Sequence, residues 1–332
     1  MIVEGKDVQF VKDFFKKLND NDIKYCVLRN TREILNGDVH DIDMTFDFRQ
    51  KDYVMDLLLL MAKNQGWKIH LKAKKDNGNL YTIHLFLITE EEPIIVHFDF
   101  FKAFGWNGYS LINYIDLMDE RRVVDGLWEA SDAVQAVTML FSRFLYQGYI
   151  KEKYKDKIFH YFRENEEKVK ELMSGFLTSN SVIRIYDNVV ACKWDIIEKM
   201  QSEIHKEIIQ VFKSKYVLPK VKNKAFALKR LLKHTGLVVQ VPNQKIDETI
   251  TICEKALSRT FSTEEILNKA NVPQGIKEYF LTDIELSKGR LIITNHSYHI
   301  NRKDLVVVDE KNISEGKLPV IVLNKMSERY KI

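Results

Sequence analysis

The sequence predicts an α+β protein in three stretches: a mixed sheet with helices, a helical middle, and a smaller α/β region. Three observations carry this expectation. Apolar residues recur at helical spacing in VQFVKDFFKKLND and then alternate in strand-like runs up to residue 101. From Ala130 to about residue 177 the spacing is helical again. Beyond residue 236, short apolar runs are separated by polar turns and one helical stretch. The boundaries read as 1–128, 129–222 and 223–332.

In chain order, Val8, Val11, Phe14, Phe15 and Leu18 share one face of a helix over residues 7–20. KYCVLRN and HDIDMTF follow as strands, and an apolar helix runs from Gln50 to about Asn64, ending at Gln65-Gly66. WKIHLKA, LYTIHLFLI and PIIVHFDFF are three further strands, the first two parted by the turn KKDNGN. Residues 102–128 read as a covering loop punctuated by Gly105 and Gly108. Trp106 within it either packs the loop onto a core or offers a face to a base. The helical middle includes AVQAVTMLFSRFLYQGY and the stretch RENEEKVKELM, whose alternating acids and bases describe a solvated face. Between Lys213 and Lys245 stand nine Lys or Arg and no Asp or Glu. Aromatics are not interleaved with them as a groove for single-stranded nucleic acid needs, so KAFALKRLLK reads as an amphipathic connector helix. The last region offers a strand in GLVVQV, a helix in ITICEKALSRTF, and strand cores in GRLIITNHSYH, DLVVVDE and PVIVLNK.

Composition excludes several classes. The 332 residues are 45% hydrophobic and 30% charged with a net charge of +4, as in a soluble globular protein. MIVEGKDVQF has no basic stretch leading into an apolar one, and the longest near-apolar run is only MDLLLLMA. Neither a signal peptide nor a membrane span is expected. Cys26, Cys192 and Cys253 are scattered without zinc spacing, which suggests reduced thiols in the cytoplasm. No Gly-x-Ser-x-Gly elbow or Cys/His signature is present, and His84 with His97, on adjacent strands, reads as a sheet-surface pair rather than a zinc site.

The chemistry concentrates near the N-terminus. Asp41 and Asp43 are two apart in an alternating run, so both leave the same face of a strand. Asp99, in a later strand with His97 on its own face, would complete a three-carboxylate site. Two carboxylates roughly 5 Å apart repel by roughly 3 kcal/mol at an effective dielectric of about 20, a cost that a shared proton or a cation offsets. Oxygen ligands in this arrangement favour Mg²⁺ or Mn²⁺. A second Asp-x-Glu, Asp283-Ile284-Glu285, follows IKEYFLT, which is no β-branched strand, and reads as a decoy.

These residues resemble the nucleotidyltransferase superfamily related to DNA polymerase beta, whose mark is a strand, a small polar turn, Asp-hydrophobic-Asp/Glu and a later third carboxylate. Ten residues separate Asn30 from Asp41, and Arg29-Asn30 stands where Gly-Ser is usual, a form associated with bacterial surface-polysaccharide genes. The resemblance implies transfer of a nucleoside monophosphate from a triphosphate such as ATP to a hydroxyl or phosphate acceptor, with a sugar or sugar phosphate as the acceptor class. It further implies that Asp41 and Asp43 hold both metal ions, that Asp99 holds the one activating the acceptor, and that Arg29 and Asn30 position the triphosphate.

The last region is similar to the opening of thymidylate kinase-like domains in its strand, loop and helix. Gln244 and Ile246 replace glycines of the phosphate loop there, Asp247 stands at the lysine, and Glu248 stands at the hydroxyl. Asn295-His296-Ser297 stands where such kinases carry Asp-Arg-Tyr. A loop of this composition repels a triphosphate. The rival reading is a non-catalytic binding or scaffolding protein in which both nucleotide folds have decayed.

Overall fold

In the computed structural model, the described residues are 5–37, 39, 41–75, 78–89, 93–213, 236–257, 261, 263–270, 281–282, 285–286, 290–296 and 304–328, with only the backbone described for 71–75 and 213. Residues 214–235 of the basic stretch lie outside them, including the connector KAFALKRLLK, as do Asp283-Ile284 of the decoy.

The first helix, α1 (Lys6–Asp20), buries Val8, Phe10, Val11, Phe14, Phe15 and Leu18 along one side, and the chain turns at Asp22 with φ of 51°. Then come β1 (Tyr25–Val27), α2 (Thr31–Leu35), β2 (Ile42–Phe46), α3 (Lys51–Asn64), β3 (Lys68–Lys75), β4 (Leu80–Leu87) and β5 (Ile94–Phe101). The aromatic spine of α1 meets the sheet directly. Phe14 lies 5.4 Å edge-on from Phe98, and Phe15 stacks 5.3 Å from Tyr25.

Residues 102–128 are not a loop. They form a hairpin of β6 (Ala103–Trp106) and β7 (Tyr109–Asn113), a short helix α4 (Tyr114–Leu117), and a second hairpin of β8 (Arg122–Val124) and β9 (Leu127–Glu129). Both turns are two residues long, Asn107-Gly108 and Asp125-Gly126, with positive φ at each position. That is the backbone of the tight hairpin turn that Asn-Gly and Asp-Gly favour, because its twist matches the strands it joins. Trp106 packs inward at 8% exposure and stacks on His205, ring centres 4.2 Å apart, so of its two readings the structure shows packing.

β9 pairs in parallel with β1, completing a seven-stranded sheet in the order β3-β4-β5-β2-β1-β9-β8. Six helices of 6 to 16 residues follow: α5 (Asp132–Gln147), α6 (Glu152–Glu164), α7 (Glu166–Ser174), α8 (Ser179–Val190), α9 (Trp194–Lys199) and α10 (Gln201–Lys213). α5 is the buried centre of this group; Ser131 caps its start by accepting from the Val134 N–H, and Gly148 closes it at φ of 78°.

The last region is a four-stranded, all-parallel sheet in the order β11 (Ile266–Asn268), β12 (Leu291–Thr294), β10 (Leu237–Gln240) and β13 (Leu305–Val307). Among the described residues it carries the helices α11 (Ile246–Ala256), α12 (Glu310–Ser314) and α13 (Leu318–Glu328), with further helical residues at 281–282 and 285–286. PVIVLNK is therefore helix, not strand. Leu318, Val322, Leu323 and Met326 are buried at helical spacing, and Pro319 sits in the first turn, where its missing N–H has no bond to lose. A short apolar run carries both periods, and here the helical one governs.

Strand alternation decides what each face of the large sheet meets. Val27, Ile42, Met44, Ile83, Leu85, Val96, Phe98 and Phe100 point to α1 and α3 and form one core. On the opposite face Cys26 and Leu28 join the core of the helical group, while Phe86 and Ile95 join the core of the parallel sheet. α13 rests on β3, where the Lys68 Nζ donates to Asn324 Oδ1. The candidate site lies on that second face, on the strands between these two packed regions.

Candidate active site

Register places the carboxylates. β2 and β5 pair in parallel with Asp43 opposite Asp99, and Asp41 immediately precedes β2 on the face of Asp43. The structure thus brings together all three aspartates named from the sequence. Their exposure is graded: the Asp43 side chain is 2% exposed, Asp99 19% and Asp41 57%, so the cluster opens outward at Asp41.

Asp43 is held by one neighbour and left short of another. Arg29 Nε donates to its Oδ2, while Oδ1 is buried and has no hydrogen-bond partner. Burial pushes the Asp43 carboxyl up to about 6; Arg29 opposes this, and the charges of Asp41 and Asp99 reinforce it. Burial also works against the Arg29 charge, yet Asp43, Tyr154 and Asp41 outweigh it and hold the guanidinium above its ordinary value. Arg29, read from the sequence as a phosphate clamp, is in this structure the counter-ion of a candidate metal ligand. Asn30 follows in left-handed backbone, φ 62° and ψ 27°, one of the residue types that enter this region readily, and it leads directly into α2.

His97 bridges the other two carboxylates. Its Nδ1 is 3.4 Å from Asp41 Oδ1 and its Nε2 is 3.3 Å from Asp99 Oδ1. Thr82 on β4, in register with Asp99, donates to the same Oδ1 at 2.6 Å. Burial lowers the affinity of His97 for its proton, but Asp99 first, then Asp41 and Asp43, raise it further, for a net upward shift. Asp41, His97 and Asp99 each offer one ligand atom, all within 4.8 Å of one another. His84 is the register partner of His97, edge-on at 4.6 Å, but at 1% exposure it is buried, so the pair read from the sequence as lying on the sheet surface is covered at His84.

An orphaned carboxylate oxygen at 2% exposure, with two more carboxylates on the same face, is an arrangement that a hard divalent cation satisfies; Arg29 and His97 offset only part of the charge. The donor set therefore fits Mg²⁺ or Mn²⁺, with the His97 nitrogen adding tolerance for Mn²⁺.

Sequence reading missed the cations of the helical group. Tyr154, in the first turn of α6, is ringed by Arg29, Lys151 and Lys153, at 5.9, 5.7 and 5.0 Å from its ring centre. The only signal was the basic spacing in KEKYKDK, which also describes any solvated helix. A separate cavity of about 620 Å³ lies between α2, the β8–β9 hairpin and α6, lined by Arg32, Glu33, Arg122, Glu129, Lys157 and Tyr161 among others; none of the three aspartates lines it.

The loop after β10 has a different character. Asn243–Lys245 form a single tight turn that runs straight into α11. Lys245 Nζ pairs with Glu248 at 2.7 Å, Gln244 donates to Glu310, and Asn295 donates to Asn243 at 3.0 Å.

No protein-family model matches the chain, and no curated protein does. Two solved structures are similar to it. One is a "putative nucleotidyltransferase from H. pylori", 15% identical with a TM-score of 0.32, over 63% of this chain and 94% of that one. The other is JHP933 from Helicobacter pylori, 15% identical with a TM-score of 0.31, over 70% of this chain and all of that one. Among the described residues no helix is long and apolar enough to cross a membrane.

Proposed function

We propose that the chain is a divalent-cation-dependent nucleotidyltransferase of the DNA polymerase beta-like kind. The observation that carries this reading is the buried, partnerless Oδ1 of Asp43, set on one sheet face with Asp41 and Asp99 and beside a cationic rim. Asp41, Asp43 and Asp99 would hold Mg²⁺ or Mn²⁺, with His97 able to supply a nitrogen. When bound, the metal neutralises phosphate charge and lowers the pKa of the attacking hydroxyl. The protein's own groups orient and charge-balance the site. Arg29 holds Asp43 in place, Thr82 fixes Asp99, and the Asn30 amide stands at the turn where a phosphate would pass.

In the proposed reaction an acceptor oxygen attacks the α-phosphorus of a nucleoside triphosphate such as ATP. The new P–O bond replaces the one to pyrophosphate, which leaves, and a hydroxyl acceptor's proton passes to solvent. A sugar or sugar phosphate of surface-polysaccharide assembly is the acceptor class we favour, in a cytoplasmic setting. The parallel C-terminal sheet, with its strand, loop and helix from β10 to α11, is read as a kinase-like region without a nucleotide site.

The test is incubation with α-³²P-labelled nucleoside triphosphates, Mn²⁺ or Mg²⁺, and a panel of sugars and sugar phosphates. Expected is a labelled adduct with release of pyrophosphate, reduced by about a thousandfold or more in Asp43→Asn, an order of magnitude set by the loss of metal-assisted chemistry. A scaffolding protein is the second reading. It is favoured by Arg29 and His97 already standing among the carboxylates. It gains if no adduct forms with any acceptor and neither cation raises the melting temperature.

A further inference from the structure

The cavity between α2, the β8–β9 hairpin and α6 has a volume of about 620 Å³, within the range of small-molecule sites, and none of the three aspartates lines it. Its polar wall is anchored in the core. Gln135, fully buried near the start of α5, donates to Glu129 Oε1 at 2.8 Å and to the Ala130 carbonyl at 3.0 Å, and its own oxygen accepts from Lys157 Nζ at 3.0 Å. A buried amide is costly unless its donors and acceptor are engaged in this way, and once engaged it fixes Lys157 and Glu129 against the cavity. Arg122 forks onto Asp132 at 2.6 and 2.9 Å and stands 3.6 Å from Glu129 Oε2. The Glu129 side chain is only 8% exposed, so this part of the wall is built into the fold.

Two properties of the lining select a ligand. The first is that formal charge cancels: Arg32, Arg122 and Lys157 stand against Glu33, Glu129 and Asp132, the partner of Arg122. A polyphosphate would meet as many carboxylates as cations there. The second is that the wall is polar, where most small-molecule pockets are apolar. Val124 and Tyr161 are the apolar surfaces among its lining residues, and Lys157 Nζ stands 5.4 Å from the Tyr161 ring centre. Among the described residues the Arg32 guanidinium and the Glu33 carboxylate have no hydrogen-bond or ion-pair partner, so a donor and an acceptor both remain for a ligand. A molecule with interleaved donors and acceptors, no net charge and one apolar face is a polyhydroxylated ring. Each of its hydroxyls donates and accepts, and its C–H face packs on an aromatic side chain.

We propose that this cavity is a second ligand site, which binds a short uncharged saccharide with its ring against Tyr161 and its hydroxyls on Arg32, Lys157 and Glu33. The helix that forms one wall also reaches the aspartates. Tyr154, Lys157 and Tyr161 recur at i, i+3 and i+7 of α6 and share one face, and the Arg29 guanidinium that holds Asp43 stands 5.9 Å from the Tyr154 ring centre. The cavity thus opens about one helical turn beyond the Arg29–Tyr154 contact, near the carboxylate cluster and apart from it. The proposal goes beyond the nucleotidyltransferase reading, because a saccharide seated here meets none of the three aspartates and needs neither metal nor nucleotide.

The experiment is saturation-transfer NMR of the full chain in metal-free buffer, with glucose, galactose, mannose and N-acetylglucosamine each titrated alone, and then with the 6-phosphate of whichever sugar binds. At least one free sugar should bind wild type with a Kd of about 1 mM or tighter. The double variant Arg32→Met/Lys157→Met should bind it at least tenfold more weakly, and Tyr161→Phe, which keeps the ring, should stay within threefold of wild type. Asp43→Asn should bind as wild type does, and the 6-phosphate no more tightly than the free sugar. Circular dichroism and melting curves establish that each variant is folded, and Arg32→Met alone, on the exposed side of α2, carries the same comparison if the double variant is not. Binding of none of the sugars overturns the proposal, as does equal affinity in wild type and the methionine variants. A 6-phosphate that binds tenfold more tightly than its parent sugar also overturns it, because the cavity would then be an anion site. So does a sugar whose binding is lost in Asp43→Asn and kept in the double variant, since it would sit at the aspartates. Metal and nucleotide are absent throughout, so failure here leaves the transferase reading standing, and failure to find transfer leaves this site standing.

Discussion

At the ends of β1 and β2 the charges outnumber their partners, whereas in the loop after β10 every charge with a described contact is matched. Asp43 keeps an oxygen with no partner, and Lys151 and Lys153 face a tyrosine rather than a carboxylate. In the second loop Lys245 is answered by Glu248, and Gln244 by Glu310. Both places follow a sheet strand, and both have the general form of a phosphate site. The difference is whether the folded chain has left a charge for a ligand to meet. A site built for an ion is costly when empty, because buried charge is desolvated without full compensation. A site converted to structure has its charges compensated internally.

The sharpest way to break this contrast is to remove Arg29, which among the described residues is the cation that meets Asp43 directly. Arg29→Met leaves a carboxylate of 2% exposure beside Asp41 and Asp99, with only His97, which bridges those two, to offset the charge. Breaking a buried pair in this way costs about 3 kcal/mol or more. The loss should be largest at pH 8 and smaller at pH 5, where Asp43 can take up a proton, and saturating Mn²⁺ should recover most of it. Denaturant unfolding at the two pH values measures this. A variant as stable as wild type at pH 8 without metal would show that Asp43 is not under electrostatic strain.

Much of this region was legible because its signals are local. Two-residue alternation fixes the common face of Asp41 and Asp43, and the run PIIVHFDFF places Asp99 on a strand without any knowledge of its neighbour. The helix of residues 6–20 was legible from five apolar positions, although Phe10 is buried as well. The two hairpins within 102–128 were legible in principle, since Asn107-Gly108 and Asp125-Gly126 carry the turn chemistry; the glycines and Trp106 were read as loop punctuation instead. In PVIVLNK, β-branched residues suggested a strand that tertiary packing overrode. The Arg29–Asp43 pair and the ring of cations about Tyr154 were not legible, because each joins segments far apart in the chain. Nothing in LRN states that Arg29 turns back to Asp43, and nothing in KEKYKDK states which face of α6 meets β1.

A second, somewhat smaller effect sharpens the contrast through pH. Asp43 is raised from 3.8 to about 6, so over that interval the native state binds a proton more readily than the unfolded chain does. Its contribution to stability is therefore greatest at low pH and is lost as pH rises toward 6. His97 is raised above 6.5, so the stability gained by its charged form is present below that value and is lost as pH climbs through the raised one. Both act in the same direction. The metal-free protein should melt lower at pH 8 than at pH 5.5 by a few degrees. Mn²⁺ at about a hundred times its Kd should restore about 2.7 kcal/mol, with more recovery at pH 8 because protons no longer compete for its ligands. Asp43→Asn should flatten the pH dependence and abolish the metal response. Calorimetric scans with and without EDTA decide the matter; identical metal responses in wild type and Asp43→Asn would exclude these residues as ligands.

The smallest expected effect lies in the second loop, and its smallness is what the contrast requires. Lys245 is partly exposed at 26%, and its pair with Glu248 spans one turn at the start of α11. Exposed pairs of this kind contribute about 0.2–1 kcal/mol, so Lys245→Ala should lower stability by no more than about that. Triphosphate affinity should be unchanged within twofold. A working phosphate loop sets a lysine and several backbone N–H groups around its ligand, whereas here the lysine is engaged by a carboxylate and Asp247 stands beside that carboxylate in the first turn of the helix. Removing the acid is the more searching version. If carboxylate repulsion alone excludes phosphate, Glu248→Gln should free Lys245 and create measurable affinity. If the tight turn with no glycine in residues 241–249 also denies the backbone its approach, the variant should bind no better than wild type, which is the outcome we expect. Calorimetry with a nonhydrolysable triphosphate in metal-free buffer, comparing Glu248→Gln with wild type so that any first-site binding is common to both, reads this directly. A gain of tenfold or more in Glu248→Gln would mean that the second site was lost through one charge and not through its backbone.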